Sequence, residues 1–289
     1  MAHSQPRLPI HTEDGHHFEL IQISGSAPDC RFLMIPAMGI TARQYIPFAK
    51  ALAEHNVEVF IHEWRGFGSS NQRAKRQCDW GYATLLSDIE ASVAAIKIHA
   101  TEESAPVIIA GHSLGSQLAL LALAMHPESF NGYVCIAGGS PYFHVFPWPM
   151  SWALKGLFTG MPAIAKLVGH YPGYRLGFAG REARGVMVDW AQSGKTGQYC
   201  PANFSKDMET ALKNVRAPLL GIRMADDWFV PPDSLTYLLD KCPKAPSCQA
   251  VVTRSNPKLK VDHYHWMTNA SETVSIIDRW IKQTVFEHS

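Results

Sequence analysis

Along this chain the apolar positions fall into two alternating rhythms. Runs rich in apolar residues at 31–35, 57–62, 106–110, 133–137, 217–224 and 249–253 read as strands, that at 106–110 as a buried one. Between them the apolar residues recur at helical spacing. Residues 45–53 and 232–241 form two such stretches, Leu85, Ile89, Val93 and Ile96 a third, and Leu114, Leu118, Leu121 and Met125 a fourth. A last helix is predicted from about Ser271 to Phe286, with Val274, Ile277 and Ile281 on one face. Ahead of all these, residues 8–25 read as a hairpin turning at Glu13-Asp14-Gly15. Strands alternating with helices predict a mainly parallel sheet covered by helices on both faces.

The rhythm stops at about residue 140 and resumes after 205. The intervening segment carries Pro141, Pro147, Pro149, Pro162, Pro172 and Pro201 together with Trp148, Trp152 and Trp190. It reads as an irregular helical insertion. Placed over a site at the sheet edge, such a segment would act as a cap or lid and supply an apolar substrate pocket. The predicted organisation is therefore a core from 1–139 and 206–289, interrupted by a cap at 140–205.

One motif turns this architecture into chemistry. Gly111-His112-Ser113-Leu114-Gly115 stands between a predicted strand and a predicted helix, the context that a G-x-S-x-G nucleophile elbow requires. The tight turn strains the backbone of Ser113 and lifts its hydroxyl clear of the sheet. The glycines leave room for the close approach, and the N–H of Leu114 at the helix start is an oxyanion donor. A serine hydroxyl needs a general base and a group that orients the base. On an α/β sheet the chain order is Ser, then Asp or Glu, then His. Asp226 and Asp227 follow the strand at 217–224, and His263 and His265 follow the strand at 249–253. All four lie beyond carboxyl ends of strands, at the edge where Ser113 is displayed. His263, His265 and Asp262 lack the spacing of a metal-ligand set, and the chemistry requires neither metal nor cofactor.

Composition narrows the class. Hydrophobic residues are 46% of the 289, net charge is +1, and no basic stripe or charge run is present. Nucleic acid is therefore not an expected partner. The polar N-terminus lacks the apolar region of a secretory signal and no apolar run reaches the ~18 residues of a membrane span, so a cytoplasmic location without membrane insertion is expected. Cys30, Cys78, Cys135, Cys200, Cys242 and Cys248 are scattered, which predicts free thiols in such a compartment.

These residues together resemble the α/β-hydrolase superfamily, and the chain is most similar to its monoglyceride-lipase-like and serine-aminopeptidase-like branch and to a group of bacterial predicted hydrolases. Pro36-Ala37-Met38-Gly39 stands where the family has a His-Gly-x-Gly oxyanion loop. Arg65-Gly66-Phe67-Gly68-Ser69-Ser70 resembles its R-G-x-G-x-S segment, Asp227-Trp228-Phe229-Val230-Pro231 its D-x-x-V-P acid motif, and His263-Tyr264-His265-Trp266 its H-x-x-W/F base motif. The resemblance implies Asp227 as the acid, His263 as the base, and the amides of Met38 and Leu114 as the oxyanion hole. Two departures stand out: Ala37 restricts a backbone that is glycine in the family, and Ser116 replaces a second glycine after the elbow.

The expected function is a serine hydrolase that cleaves a carboxylic ester of an apolar or aromatic small molecule. An acyltransferase or a peptidase would use the same triad. A non-catalytic ligand-binding protein on this fold would be expected to have a broken one.

Overall fold

The computed structural model describes residues 5–25, 28–99, 105–202, 204, 206–254 and 260–286. Residues 1–4 of the polar N-terminus and residues 203 and 205 of the predicted insertion lie outside the described residues. The N-terminal hairpin forms β1 (Arg7–His11) and β2 (His17–Ile23), paired antiparallel around a turn in which Gly15 takes φ +78°. The remaining strands of the main sheet are β3 (Cys30–Ile35), β4 (Val57–Ile61), β5 (Val107–His112), β6 (Gly132–Ile136), β9 (Leu219–Met224) and β10 (Ser247–Val252). A separate two-stranded pair, β7 (Tyr171–Pro172) and β8 (Arg181–Glu182), lies within the inserted segment. The eight-stranded order is β1-β2-β4-β3-β5-β6-β9-β10, parallel from β4 onward. Strands β3 to β6 are buried along their whole length, which is why they read as continuous apolar runs rather than as alternation.

Helices cover both faces. On one side α1 (Ile46–Ala53) and α9 (Ser271–Trp280) pack Phe48, Ile277 and Trp280 against Phe32, Ile108 and Val134. On the other, α2 (Tyr82–His99), α3 (Leu114–Met125) and α8 (Pro232–Leu239) bury the predicted stripes against Leu33, Ile109 and Tyr133. Between β6 and β9 the inserted segment forms α4 (Met150–Val168), α5 (Gly173–Leu176) and α6 (Arg184–Thr196). Phe158 of α4 meets the edge of the Trp190 ring at 4.9 Å, over Gly194, where a Cβ would come within 2.4 Å of the Phe158 ring. A short α7 (Met208–Leu212) follows; Asp207 caps it by accepting the Thr210 N–H at 3.1 Å.

Two details depart from the periodicity. The last helix ends as α9 at Trp280 and continues as a π-helical turn, Ile281–Phe286. Helix α7 was not predicted, because five residues are too few for a periodic signal. All six cysteines are free thiols, and among the described residues no helix is long and apolar enough to cross a membrane.

The family-like segment at Arg65–Ser70 is structural in a specific sense. Arg65 donates to Asp88 Oδ2 at 2.9 Å and Oδ1 at 2.7 Å, and to Asp14 at 2.7 Å, while His16 Nδ1 lies 3.2 Å from Asp88. Burial alone would raise the Asp88 carboxyl, but the hydrogen bonds from Arg65 and His16 outweigh it and hold its pKa below the ordinary value. A carboxylate lowered in the folded state stabilises the fold at neutral pH and loses that contribution as pH falls below about 4. Arg65→Met leaves Asp88 buried without its cation and is expected to cost about 3–5 kcal/mol at neutral pH in urea unfolding. The deficit should narrow in acid, where Asp88 takes up a proton.

Candidate active site

Ser113 caps α3 with φ +54° and ψ −119°, a backbone that non-glycine residues rarely adopt. The neighbouring glycines explain how it is held. A Cβ on Gly111 would lie 2.2 Å from the Gly115 backbone, and one on Gly115 would lie 2.3 Å from the carbonyl oxygens of Ile35 and Pro36. Strand β5 and helix α3 therefore meet backbone to backbone, and α3 begins directly beside the end of β3. Ser116 fits because Gly138 faces it: a Cβ there would lie 2.1 Å from Ser116 Oγ. Its hydroxyl donates to the Ser113 carbonyl at 2.6 Å.

The loop Pro36-Ala37-Met38-Gly39 is pinned from two sides. The Trp64 indole N–H donates to the Pro36 and Ala37 carbonyls at 3.0 and 3.2 Å, and the Ala37 N–H donates to Tyr45 Oη at 2.8 Å. Within this loop the left-handed backbone falls on Gly39, φ +77°, and not on Ala37, so alanine meets no conformational penalty where the family has glycine. A Cβ on Gly39 would strike Gly180 N at 2.6 Å; the inserted segment rests on the loop at that point. The N–H groups of Met38 and Leu114 have no hydrogen-bond partner among the described residues, and both residues line the same cavity as Ser113.

Beyond β9 and β10 the structure separates the two candidate pairs. Asp227 is buried, with Oδ2 2.8 Å from His263 Nδ1 and Oδ1 accepting the Phe229 N–H at 2.8 Å. Asp226 instead accepts from Arg254 Nε at 2.6 Å, and that hydrogen bond lowers its carboxyl pKa. His265 is exposed and pairs with Asp262 at 2.8 Å. Asp227 and His263 are thus brought together, while Asp226 and His265 sit in surface pairs. Among the described residues no group of three His, Cys, Asp or Glu side chains could hold a metal ion.

Two residues that the sequence did not single out join the parts. His112, the variable position of the elbow, is fully buried, with Nδ1 2.8 Å from Tyr45 Oη. The Trp266 indole N–H approaches its Nε2 at 3.5 Å, and its ring lies 4.9 Å from that of His263. Burial drives the His112 pKa well below the ordinary value, with the charge of the nearby His263 acting in the same direction and a hydrogen bond to the His263 backbone opposing it. The ring is therefore neutral, a spacer between the loop at Ala37 and the turn at His263. No sequence signal marks this role, because histidine at an elbow's variable position and tyrosine at a helix start are each unremarkable alone.

Ser113 and His263 open onto one cavity of about 370 Å³. Its outer wall is apolar and comes from the inserted segment, chiefly Met150, Leu154, Leu157, Phe158, Phe178 and Trp190. No Asp or Glu lines it among the described residues. Burial pushes up the phenol pKa of Tyr264 at the rim, with Asp227 and Asp262 adding to the effect.

The sheet order, the elbow at the end of β5 and the acid and histidine after β9 and β10 define an α/β hydrolase. The chain belongs to the Hydrolase_4 family, described as serine aminopeptidase S33, whose model matches residues 26–173. It is 32% identical over 95 residues to a Schizosaccharomyces pombe protein provisionally named a monoglyceride lipase, covering 32% of this chain and 24% of that protein. It is 25% identical over 177 residues to a monoglyceride lipase homolog of Monkeypox virus, covering 61% of this chain and 51% of that protein. The matches thus span about a quarter and a half of these relatives' lengths. A soluble variant of Saccharomyces cerevisiae monoglyceride lipase, solved with a substrate analog, superposes with TM-score 0.68 at 18% identity, covering 98% of this chain and 96% of that one.

Tyr45→Phe removes the oxygen that accepts the Ala37 N–H and contacts His112. It is expected to cost about 1–3 kcal/mol in urea unfolding, more than a surface tyrosine would, with the fold retained by circular dichroism.

Proposed function

We propose that this protein is a serine hydrolase that cleaves carboxylic esters of apolar or aromatic small molecules through an acyl-enzyme. The observation that carries the reading is the 2.8 Å bond between Asp227 and His263, beside a cavity that His263 shares with Ser113. In this mechanism Ser113 Oγ attacks the acyl carbonyl while His263 takes its proton at Nε2. Asp227, bonded to Nδ1, keeps Nε2 directed at the serine and stabilises the imidazolium. The unpaired amides of Met38 and Leu114 receive the oxyanion; losing one such donor typically costs ~10²–10³ in rate. The alcohol leaves with the proton from His263. Water then gives a proton to His263, attacks the acyl carbon, and frees the acid and Ser113. No step calls on a metal or cofactor.

The segment 140–205 acts as the cap in this reading. Its apolar wall from α4 and α6 seats a hydrocarbon or aromatic group, and about 370 Å³ lies near the lower end of the range for small-molecule sites, ~300–1,000 Å³. The monoglyceride lipases among the relatives support an ester of this kind. The family description favours a peptidase, but an aminopeptidase must hold a free α-ammonium. Burying that charge without a counter-ion is costly, and the cavity offers no carboxylate among its described lining residues. An acyltransferase would differ only in the acceptor that replaces water, so added alcohols would divert the product.

A p-nitrophenyl ester series from acetate to long acyl chains tests the assignment. Ser113→Ala is expected to lower kcat by about 10⁴ or more, and Asp227→Asn by about 10⁴, while Asp226→Asn stays near wild type. Hydrolysis retained by folded Ser113→Ala would overturn the mechanism.

A further inference from the structure

The active-site cavity has one polar corner, on the side of the sheet rather than of the insertion. Gln117 stands four residues after Ser113, one turn along α3 and on the same face of the helix. It is 5% exposed and lines the cavity together with Gly139, Ser140 and Ser234. Its Nε2 donates to the Gly139 carbonyl at 3.1 Å. A carbonyl can only accept, so this bond fixes which way the amide is turned and leaves Oε1 as the other arm. Oε1 is buried and has no hydrogen-bond partner among the described residues.

The neighbouring hydroxyls do not meet that need. Ser234 Oγ donates to the Ser140 carbonyl at 2.8 Å, Ser140 Oγ accepts the Tyr142 N–H at 3.3 Å, and neither hydroxyl makes a bond to Oε1. Buried acceptors are nearly always paired, and an orphan asks for an explanation. If Gln117 served only to tie α3 to the end of β6, the Nε2 bond would suffice, and a residue without an acceptor would leave no orphan. Among the described lining residues Gln117 is the only side-chain amide, beside the hydroxyls of Ser140 and Ser234 and facing an apolar wall from α4 and α6.

We infer that Gln117 Oε1 is a substrate-binding acceptor, and that the protein selects esters whose buried portion carries an O–H or N–H donor several bonds from the scissile carbonyl. This deepens the serine-hydrolase reading and rests on it for the chemistry that follows binding. The substrate class is thus amphipathic: an apolar body against α4 and α6, and a hydroxyl or amide that donates to Gln117. A plain hydrocarbon chain would desolvate Oε1 without replacing its hydrogen bond.

The test compares p-nitrophenyl hexanoate with its hydroxyl-bearing and methoxy-bearing analogues, of which the methoxy ester keeps the oxygen but has no donor and hexanoate lacks both. A parallel arm compares hexanoate esters of pentanol and of a pentanediol, so that a donor on the acyl side is distinguished from one on the alcohol side. In one of the arms the hydroxyl-bearing ester is expected to show kcat/KM about tenfold above its donor-free partners, the size of one net hydrogen bond. Gln117→Met should bring that ratio to about one. Because the methoxy comparison removes the donor from the ligand, the wild type alone decides if the variant does not fold. Equal kcat/KM for donor-bearing and donor-free esters in both arms overturns the inference and leaves the serine-hydrolase reading standing. If the wild type turns over no ester, that reading fails. Calorimetric titration of Ser113→Ala with the pentanol and pentanediol esters and with alkyl esters of the hydroxyl-bearing acids then decides this one. Donor-bearing ligands binding about tenfold tighter uphold it, and equal affinities overturn it.

Discussion

The left-handed backbone of Ser113 is held by the meeting of β5 and α3 with no side chain between them. Such a conformation in a non-glycine residue costs about 1–3 kcal/mol and persists only where its surroundings over-determine it. Here Gly111 abuts the Gly115 backbone, and Gly115 abuts the carbonyls that end β3. Helix α3 is buried from Leu114 to Ala124, so it cannot back away from the sheet without opening the core. The parallel register extends the same constraint sideways. Ile35 pairs with Gly111, Gly111 with Cys135, and Cys135 with Gly221. The strands therefore end in line, and Met38, Ser113, Gly139 and Asp227 all emerge at one edge within a few residues of that line.

Polar side chains then fix what the sheet brings together. Tyr45 and His112 connect the Ala37 amide to the neighbourhood of His263 in a fully buried chain. A second buried chain has a triad's composition without its setting: Ser70 Oγ lies 2.9 Å from His16 Nε2, and His16 Nδ1 lies 3.2 Å from Asp88. Ser70 Oγ also accepts the N–H groups of Gly66 and Gln72. Its lone pairs are committed to a turn and it is buried, so this constellation secures the hairpin and the Arg65 loop. Residue types and distances alone do not make a catalytic serine. Unpaired donors and a cavity are needed as well, and Ser113 lines a cavity together with Met38 and Leu114, whose amides have no partner among the described residues.

Most of the sheet and the elbow could be read from sequence because their constraints are local. Apolar runs mark strands buried on both faces, and G-x-S-x-G between a strand and a helix marks one backbone geometry. The resemblance to a family separated Asp227 from Asp226 and His263 from His265 by register; spacing alone did not, since all four side chains follow strand ends. What escaped was non-local. Tyr45 and His112 are 67 residues apart, and His16, Ser70 and Asp88 come from a hairpin, a loop and a helix. Gln117 was passed over for a different reason: an amide on a helix face is ordinary until one of its atoms is found without a partner. Ala37 shows the converse. It looked restrictive against the family's glycine, yet the loop places its left-handed residue at Gly39 instead.

The cavity draws its two sides from parts of the chain with different freedom to change. The sheet edge carries Ser113, His263 and Gln117 on elements whose close contacts admit few substitutions. The opposing wall belongs to the segment between β6 and β9, which is held against the rest of the chain by apolar packing and by polar and close contacts. Arg181 donates to the Ala74 carbonyl at 2.7 Å, Asp189 accepts the Tyr82 N–H at 2.7 Å, and Gly180 lies against Gly39. These contacts set the height of the wall above the serine, while Met150, Leu154 and Leu157 set its texture. Exchanges among apolar residues on α4 change the space for an apolar group while leaving the fastening intact. The elbow and Gln117 are thus tied to the sheet, and the shape of the apolar wall is tied to α4.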